Sequence, residues 1–306
     1  DSSTRYTSNA RLEFSPYDWE TEFLQPMSFR SGSAQQTTGK AEKEPVKMLR
    51  GYRTDGEWQF PELEDEQPVD YLFLHAHPDD EALDFGGLLA RLEQSGKRVA
   101  VVLFTDGEAG LSRGPERRIG AAPEVLKSIR IEEAAESLRI LGADLYIRLA
   151  LRNHPYSSLR QVLSVERVYE AWGGVESVEA AVYTLIEKLN PKVIVSPDGP
   201  SEAREHFEHE AVGQVVTQVL ERMLLEGAEE LPQRYLRLVD PLQQGVYSQF
   251  AEIDVLRPVW PHVESPRSVQ NRALKAHQSQ IDARIVGLEY TPLFQSEYYQ
   301  VRELDE

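Results

Sequence analysis

The sequence predicts an α/β fold, a doubly wound, mainly parallel Rossmann-like sheet with flanking helices. Short apolar runs such as Val99–Phe104 and Val193–Val195 have the composition of buried parallel strands. Segments with an apolar period near 3.6 alternate with these runs, and Gly or Pro residues separate many of them. Because strands that alternate with helices are typical of βαβ units, these patterns together favour a parallel sheet.

The elements follow one another from Val69 onward. We predict strands at 69–75, 98–105, 145–149 and 192–197, with two further strand-like runs within 234–250. Helices are predicted at 81–95, 123–141, 178–189, 209–225 and 267–285. Gly96 and Gly142 end the first two helices, and Pro191 stops the third.

The domain organisation is read from the same pattern. Residues 1–50 lack periodicity and are predicted to form an irregular N-terminal arm. Residues 51–306 are predicted to form a single domain with a core at about 69–285 and an insertion at about 150–177.

Composition excludes several classes of function. The net charge is −18, from 33 Lys and Arg against 51 Asp and Glu among 306 residues, which argues against binding nucleic acid. No cysteine is present, so disulfides, thiolate metal sites and cysteine nucleophiles are excluded. Apolar runs are too short for a membrane span, and we expect a small-molecule ligand. Oligomeric state is not indicated.

The compartment stays open at this point. The chain begins at Asp1 rather than at an initiator Met, which is compatible with a cleaved signal peptide, a truncation or an incomplete record. The cytoplasm is the default expectation, and a secreted or periplasmic location is the alternative.

The end of the first strand carries the first candidate site. In doubly wound sheets ligands bind beyond the carboxyl ends of the strands, and here that end reads His75-Ala76-His77-Pro78-Asp79-Asp80-Glu81. His77 and Asp80 are three residues apart across a turn, so both side chains can share one cation. Asp79 can then address a metal-bound water. Acidic residues at this position also serve as helix caps, which is the alternative interpretation.

A second pair of histidines follows the fourth strand. His206 and His209 are three residues apart at the start of a predicted helix. One of them can complete a His-Asp-His ligand set and the other can face a substrate. Three protein ligands with an open fourth position are typical of catalytic zinc.

These motifs resemble those of a known family. His77-Pro78-Asp79-Asp80-Glu81 resembles the signature of the PIG-L/LmbE-like N-acetylglucosaminyl deacetylases, which are zinc hydrolases. The other similar segments are Phe104-Thr105-Asp106-Gly107-Glu108, Arg130 with Glu133 before Leu141-Gly142-Ala143, His206-Phe207-Glu208-His209 and His277-Gln278-Ser279-Gln280. Two departures concern substrate contacts: Phe207-Glu208 stands where many relatives have Pro-Asp, and Gln270 where a lysine is common.

The resemblance implies roles for these residues. It makes His77, Asp80 and His209 the ligands of Zn²⁺ and Asp79 the general base. His206 would stabilise or protonate the tetrahedral intermediate. The implied activity is hydrolysis of the acetamide of an N-acetylated amino sugar or glycoconjugate.

Two further residues are candidates for substrate binding. Arg130 matches the substrate-contacting arginine of the family. His277 either orients a ligand or binds substrate, and a hydrogen-bonded core histidine is the alternative. His75 either supports a metal ligand, packs in the core or acts directly, and His154 and His262 are expected at the surface, with the rim of the pocket as the alternative.

Two other functions compete with the hydrolase. Two histidines and one carboxylate also form the facial triad of mononuclear Fe(II) oxygenases, although those triads usually lie on β-sandwich folds. A sugar-binding module without activity, which keeps the metal as an anchor, is the third hypothesis. The intact Asp79 argues against it, because a pure binding site needs no unligated base.

Overall fold

The computed structural model describes residues 45–110, 122–197, 206–239, 250–280 and 295–304. The strands within these residues are β1 (Lys47–Arg50), β2 (Tyr52–Thr54), β3 (Glu57–Gln59), β4 (Tyr71–His75), β5 (Val99–Thr105), β6 (Leu145–Leu151), β7 (Val193–Ser196), β8 (Arg234–Val239), β9 (Ala251–Asp254) and β10 (Ser296–Glu303). The helices are α1 (Asp80–Leu83), α2 (Gly86–Gln94), α3 (Pro123–Leu141), α4 (Val165–Ala171), α5 (Val175–Leu189), α6 (Phe207–Glu226) and α7 (Pro266–Leu274).

One large sheet organises the described residues. Its eight strands lie in the order β1-β6-β5-β4-β7-β8-β10-β9. In this order the first six strands, β1-β6-β5-β4-β7-β8, pair in parallel, and β10 is antiparallel to both β8 and β9. This architecture confirms the predicted mainly parallel α/β fold.

Helices cover both faces of the sheet, and side-chain alternation along β4 explains why. Leu72 and Leu74 pack into one core with residues of α5 and α6. Phe73 points to the opposite face and packs with Leu88 of α2 and Leu138 of α3. Every residue of β4 and β5 is buried, as expected for central parallel strands.

The strand order reverses beside β4. The chain proceeds from β4 to β5 on one side, whereas β7 pairs with β4 on the other side. Such a switch point opens a crevice at the carboxyl ends of the two strands, where ligands bind in this class of fold. The residues that follow β4 and β7 are therefore placed to form a site.

The helix predicted at 81–95 is in fact two helices, α1 and α2. The carboxylate of Glu297, on β10, accepts hydrogen bonds from the backbone N–H groups of Gly87 and Leu88, at 2.7 and 2.9 Å. It thereby satisfies donors that every helix start leaves unpaired. A residue more than 200 positions away in the sequence thus stabilises a new helix start, which local periodicity does not reveal.

Other boundaries also differ from the prediction. Lys47–Arg50, which we assigned to the N-terminal arm, forms a strand parallel to β6. The region 150–177 contains α4 and the beginning of α5, and β10 was not predicted. The late helix ends at Leu274, and the rest of its predicted length beyond residue 280 lies outside the described residues. Residues 1–44 of the predicted arm lie outside them as well.

No helix within the described residues combines the length and the apolar character needed to cross a bilayer.

Candidate metal centre and active site

The two predicted histidine motifs meet at the switch point. The first motif follows β4 directly, and the second begins at His206, the residue before α6. His77 and His209 are 132 residues apart in sequence, yet their ring nitrogens Nδ1 and Nε2 lie 3.1 Å apart. The parallel sheet therefore brings the two motifs together.

Three side-chain atoms form a nearly equilateral triangle. His77 Nδ1 lies 3.1 Å from Asp80 Oδ2, and Asp80 Oδ2 lies 3.2 Å from His209 Nε2. Ligands at roughly 2.0–2.1 Å from a tetrahedral zinc ion are separated by about 3.3 Å. All three residues are buried, and the donor set of two imidazoles and one carboxylate fits zinc. The structure thus contains a histidine–aspartate group able to hold a metal.

His75 contacts Asp80 and is itself paired with Asp84. His75 Nδ1 lies 2.7 Å from Asp80 Oδ2, and His75 Nε2 lies 2.9 Å from Asp84 Oδ2. His75, Asp80, Asp84 and His209 also form a cluster whose ligand atoms lie within 4.8 Å of one another. His75, for which a supporting or packing role is one of the predicted alternatives, is therefore part of the structure around the candidate metal ligands.

Glu208 contacts the ring nitrogen of His77 that is not directed at Asp80 and His209. Its Oε2 lies 2.5 Å from His77 Nε2 and accepts a hydrogen bond from Asn153 Nδ2 at 2.7 Å. Its Oε1 accepts the backbone N–H of His154 and contacts His154 Nδ1, both at 2.9 Å. Carboxylates in this position fix the ring orientation of metal-binding histidines. The Phe207-Glu208 departure is predicted to affect substrate contacts, whereas Glu208 is fully buried beside His77.

Opposite charges dominate the electrostatics of this cluster. Burial lowers the pKa of His77, but Glu208 and Asp80 outweigh this effect and raise the pKa to about 10. Burial raises the pKa of Glu208, but His77 and His154 outweigh it and bring the pKa to about 2. Burial also raises the pKa of Asp80, but His209 and His75 hold it well below its usual value. The carboxylates are therefore ionised at neutral pH, as metal ligands and their partners must be.

Asp79 lies beside the triangle rather than in it. Its backbone has φ = 111°, a conformation that is rare for residues other than glycine and that often marks a functional site. Its Oδ2 lies 3.1 Å from Arg130 Nη2, and its N–H donates to Glu81 Oε2 at 2.8 Å. Burial, with a smaller contribution from Asp80, raises the pKa of Asp79 in spite of Arg130. A carboxylate with a raised pKa is suited to exchange a proton.

Arg130 is held by backbone carbonyls as well as by Asp79. It donates to the carbonyl of Gly107 at 2.9 Å and to that of Pro78. Gly107 has φ = 72°, and a Cβ there would lie 2.4 Å from Arg130 Nη1. The structure thus places Arg130, a predicted substrate contact, against the predicted base Asp79.

His206 completes the group of imidazoles. Its ring stacks on that of His209 with a centroid distance of 4.1 Å and an interplanar angle of 9°. It is tilted against the ring of His77 at 4.7 Å. His206 is only partly buried, whereas His77 and His209 are buried. It therefore lies on the more open side of the ligand cluster.

His277 lies deeper than a direct substrate contact requires. It is 1% exposed, and its Nε2 lies 2.6 Å from Oε1 of Glu81. Burial lowers its pKa, but Glu81 and Asp79 outweigh burial and raise it. Because Glu81 also binds the backbone of Asp79, His277 is connected to the predicted base through one carboxylate.

The remaining matching segments have structural contacts. Ser279 donates its N–H and hydroxyl to the carboxylate of Glu133, at 2.8 and 2.5 Å. Gln270 is buried, and its Nε2 donates to the carbonyl of Ala82 at 2.8 Å. Among the histidines set aside in the sequence, His154 contacts Glu208 and His262 is exposed. Only the position of Glu208 inside the second motif could have indicated its role.

The structure brings together the predicted site residues His77, Asp79, Asp80, His206 and His209, with Arg130 and His277 around them. Fold and site define an α/β protein with a buried histidine–carboxylate centre at the switch point of its sheet. Residues 72–220 match the model of the PIG-L family, which is described as GlcNAc-PI de-N-acetylase.

Two proteins with similar sequences have the same name, that of a sugar deacetylase. The 1D-myo-inositol 2-acetamido-2-deoxy-alpha-D-glucopyranoside deacetylase of Rhodococcus jostii (strain RHA1) is 33% identical over 154 residues, which are 49% of this chain and 52% of that protein. The protein of the same name from Nocardia farcinica (strain IFM 10152) is 33% identical over 175 residues, which are 55% of this chain and 57% of that protein. The chain thus spans about half the length of these relatives.

A solved structure shares the fold. A deacetylase in complex with teicoplanin, from the biosynthesis pathway of teicoplanin, superposes with a TM-score of 0.52 at 17% identity. The match covers 78% of this chain and 99% of that one. At this identity the similarity concerns the architecture alone.

Proposed function

We propose that this protein is a zinc-dependent hydrolase that removes the acetyl group from an N-acetylated amino sugar or glycoconjugate. The observation that carries the proposal is the buried triangle of His77, Asp80 and His209 with the unligated carboxylate of Asp79 beside it. The names of the similar deacetylases supply the substrate class.

The donor set decides which residues would hold the metal. His77 Nδ1, Asp80 Oδ2 and His209 Nε2 would hold the ion, and three protein ligands of this kind are typical of catalytic zinc sites. When bound, zinc lowers the pKa of a coordinated water and polarises the acetyl carbonyl. Glu208 holds the His77 ring through Nε2, in an orientation that directs Nδ1 toward Asp80 Oδ2 and His209 Nε2.

The residues around the triangle supply proton transfer. Asp79 accepts the proton of the attacking water, and Arg130 holds its carboxylate in place at 3.1 Å. The C–O bond forms first and gives a tetrahedral species, and the C–N bond then breaks as the amine leaves with a proton delivered by Asp79 or His206. His206, on the open side of the triangle, can also donate to the developing oxyanion. The products are acetate and a free amino sugar.

The competing functions of the sequence analysis lose support. The candidate ligands follow strands of a parallel α/β sheet, whereas the facial triads of Fe(II) oxygenases usually lie on β-sandwiches. A sugar-binding module without activity has no need of a carboxylate in a strained conformation held by a buried arginine.

Acetate release from a panel of N-acetylated glycosides by the zinc-loaded protein tests the proposal. Asp79→Asn should keep the metal and lower the rate by about 10²–10⁴-fold, because it removes a proton acceptor and no ligand. Asp70→Asn is the matched control, since Asp70 precedes β4 and lies at the opposite end of that strand. Near-normal turnover by metal-loaded Asp79→Asn would contradict the assigned base, and no acetate release by the unaltered protein would contradict the proposed activity.

A further inference from the structure

The loop between β6 and α4 carries an exposed aromatic residue next to the candidate site. Tyr156 is 61% exposed, and its ring centroid lies 5.2 Å from that of His206 at an angle of 51°. An exposed tyrosine on a surface loop is common, but the ring of this one contacts a histidine beside the candidate metal ligands.

Exposure increases along the rings from the ligand triangle toward Tyr156. His209 and His77 are 2% and 6% exposed, and His206, which stacks on His209, is partly buried. Tyr156 follows His206 on the solvent side. The rings thus form a continuous series of contacts from the buried ligand residues to the surface, and Tyr156 is its most exposed member.

The loop is fixed by the same carboxylate that supports the metal ligand. Glu208 accepts the amide of Asn153 and the backbone N–H of His154, two residues before Tyr156. Arg160, four residues after Tyr156, packs over the ring of Phe207 at 5.1 Å. Anchors on both sides hold the tyrosine in place before any ligand arrives, which reduces the entropy lost on binding.

We propose that Tyr156 is a specificity-determining residue that packs against the sugar ring of the substrate. This inference rests on the proposed function and deepens it. In an N-acetylated amino sugar the amide nitrogen joins the acetyl carbon directly to a ring carbon. With the acetyl group at the triangle of His77, Asp80 and His209, the sugar ring therefore lies just outside it, toward Tyr156.

The chemistry of the two surfaces is complementary. One face of a pyranose presents mainly C–H groups, and an aromatic ring offers a flat apolar surface that needs no hydrogen-bond partner on that face. An acyclic acetamide presents no such face. Tyr156 therefore selects cyclic N-acetylated sugars over acyclic N-acetyl compounds.

Steady-state kinetics with the zinc-loaded protein distinguish a substrate contact of Tyr156 from a purely structural role. Tyr156→Ala should raise KM for an N-acetylglucosaminide about five- to tenfold with kcat nearly unchanged, the size expected for one aromatic contact. Tyr156→Phe should retain the KM of the unaltered protein, because the ring and not the hydroxyl makes the contact. KM for an acyclic acetamide should not change in either variant.

Tyr183→Ala is the matched control. Tyr183 is a partly buried tyrosine, and Arg222 lies over its ring at 5.2 Å. Arg222 lies near the end of α6, about 20 Å along the helix from its start at Phe207. This variant should keep the KM of the unaltered protein.

Each other outcome is decisive. An unchanged KM in Tyr156→Ala, while the unaltered protein releases acetate, overturns this inference and leaves the proposed function intact. A loss of zinc affinity or of kcat without a change in KM assigns Tyr156 a structural role and also overturns it. Absence of acetate release by the unaltered protein overturns the proposed function and this inference with it.

Discussion

Replacing Glu208 with Gln should weaken zinc binding although Glu208 is not a proposed ligand. The carboxylate is fully buried and lies 2.5 Å from His77 Nε2, so the substitution removes the charge that orients and polarises this ring. Loss of such a partner typically lowers metal affinity by about 10–100-fold, or roughly 1.4–2.7 kcal/mol.

The same substitution should also lower the stability of the metal-free protein. The two carboxylate oxygens of Glu208 face His77 Nε2, Asn153 Nδ2 and the N–H of His154. A glutamine has one carbonyl oxygen, and its NH₂ group would oppose at least one of these donors. A buried donor left without an acceptor costs about 1–3 kcal/mol.

Zinc affinity is measured by competition with a chromophoric chelator, and stability by urea unfolding of the metal-free protein. Glu210→Gln is the matched control, because Glu210 is a buried glutamate on the same helix that accepts a hydrogen bond from Gln214 at 3.1 Å. It should bind zinc normally. His154→Ala should affect the zinc Kd much less than Glu208→Gln, since it leaves the contact between Glu208 and His77. Normal zinc affinity in Glu208→Gln would refute the supporting role of this carboxylate.

Three further predictions concern the metal, pH and the Asp79 environment. His209→Ala should lower zinc affinity sharply in zinc titrations, because it removes a proposed ligand. Fully metallated His206→Ala should lower kcat and kcat/KM together. If His206→Ala loses zinc and His209→Ala does not, the two roles are exchanged. Because the pKa of His77 is raised to about 10 in the metal-free fold, zinc must displace a proton below that pH, and apparent affinity should rise about tenfold per pH unit between pH 7 and 9. This raised pKa stabilises the metal-free fold below about pH 6.5, and the contribution is lost as pH rises through about 10, which urea unfolding with a chelator present would detect. Gly107→Ala should displace Arg130, whose Nη1 would lie 2.4 Å from the new Cβ, and should reduce the rate with zinc content unchanged; full activity would show that Arg130 does not position Asp79.

Much of the local structure follows from the sequence. The helix α3 has the predicted bounds Pro123–Leu141, because proline fixes its first turn and Gly142 takes the left-handed conformation that ends it. The central strands are recognisable because they are buried on both faces and must be apolar throughout. The spacing of His77 and Asp80 likewise predicts that both can share an ion, since they lie on one short turn.

Other features depend on contacts between distant residues. The break between α1 and α2 requires Glu297, which arrives from β10. The strand Lys47–Arg50 lacks the long apolar run of the central strands, and only Leu49 among its residues is buried. It forms because it pairs with the edge of β6.

The sequence by itself determined the α/β class, the two histidine motifs and the composition of a metal site without cysteine. Only the tertiary structure decided that His77 Nδ1 and His209 Nε2 meet at 3.1 Å, that Glu208 stands behind His77 and that Tyr156 flanks His206. The physical reason is that a motif on one strand or helix depends on residues that are neighbours in sequence. The distant motif that it meets in the folded protein depends on the order of the strands in the sheet. The placement of β7 beside β4 brings residues more than 130 positions apart to the same end of the sheet.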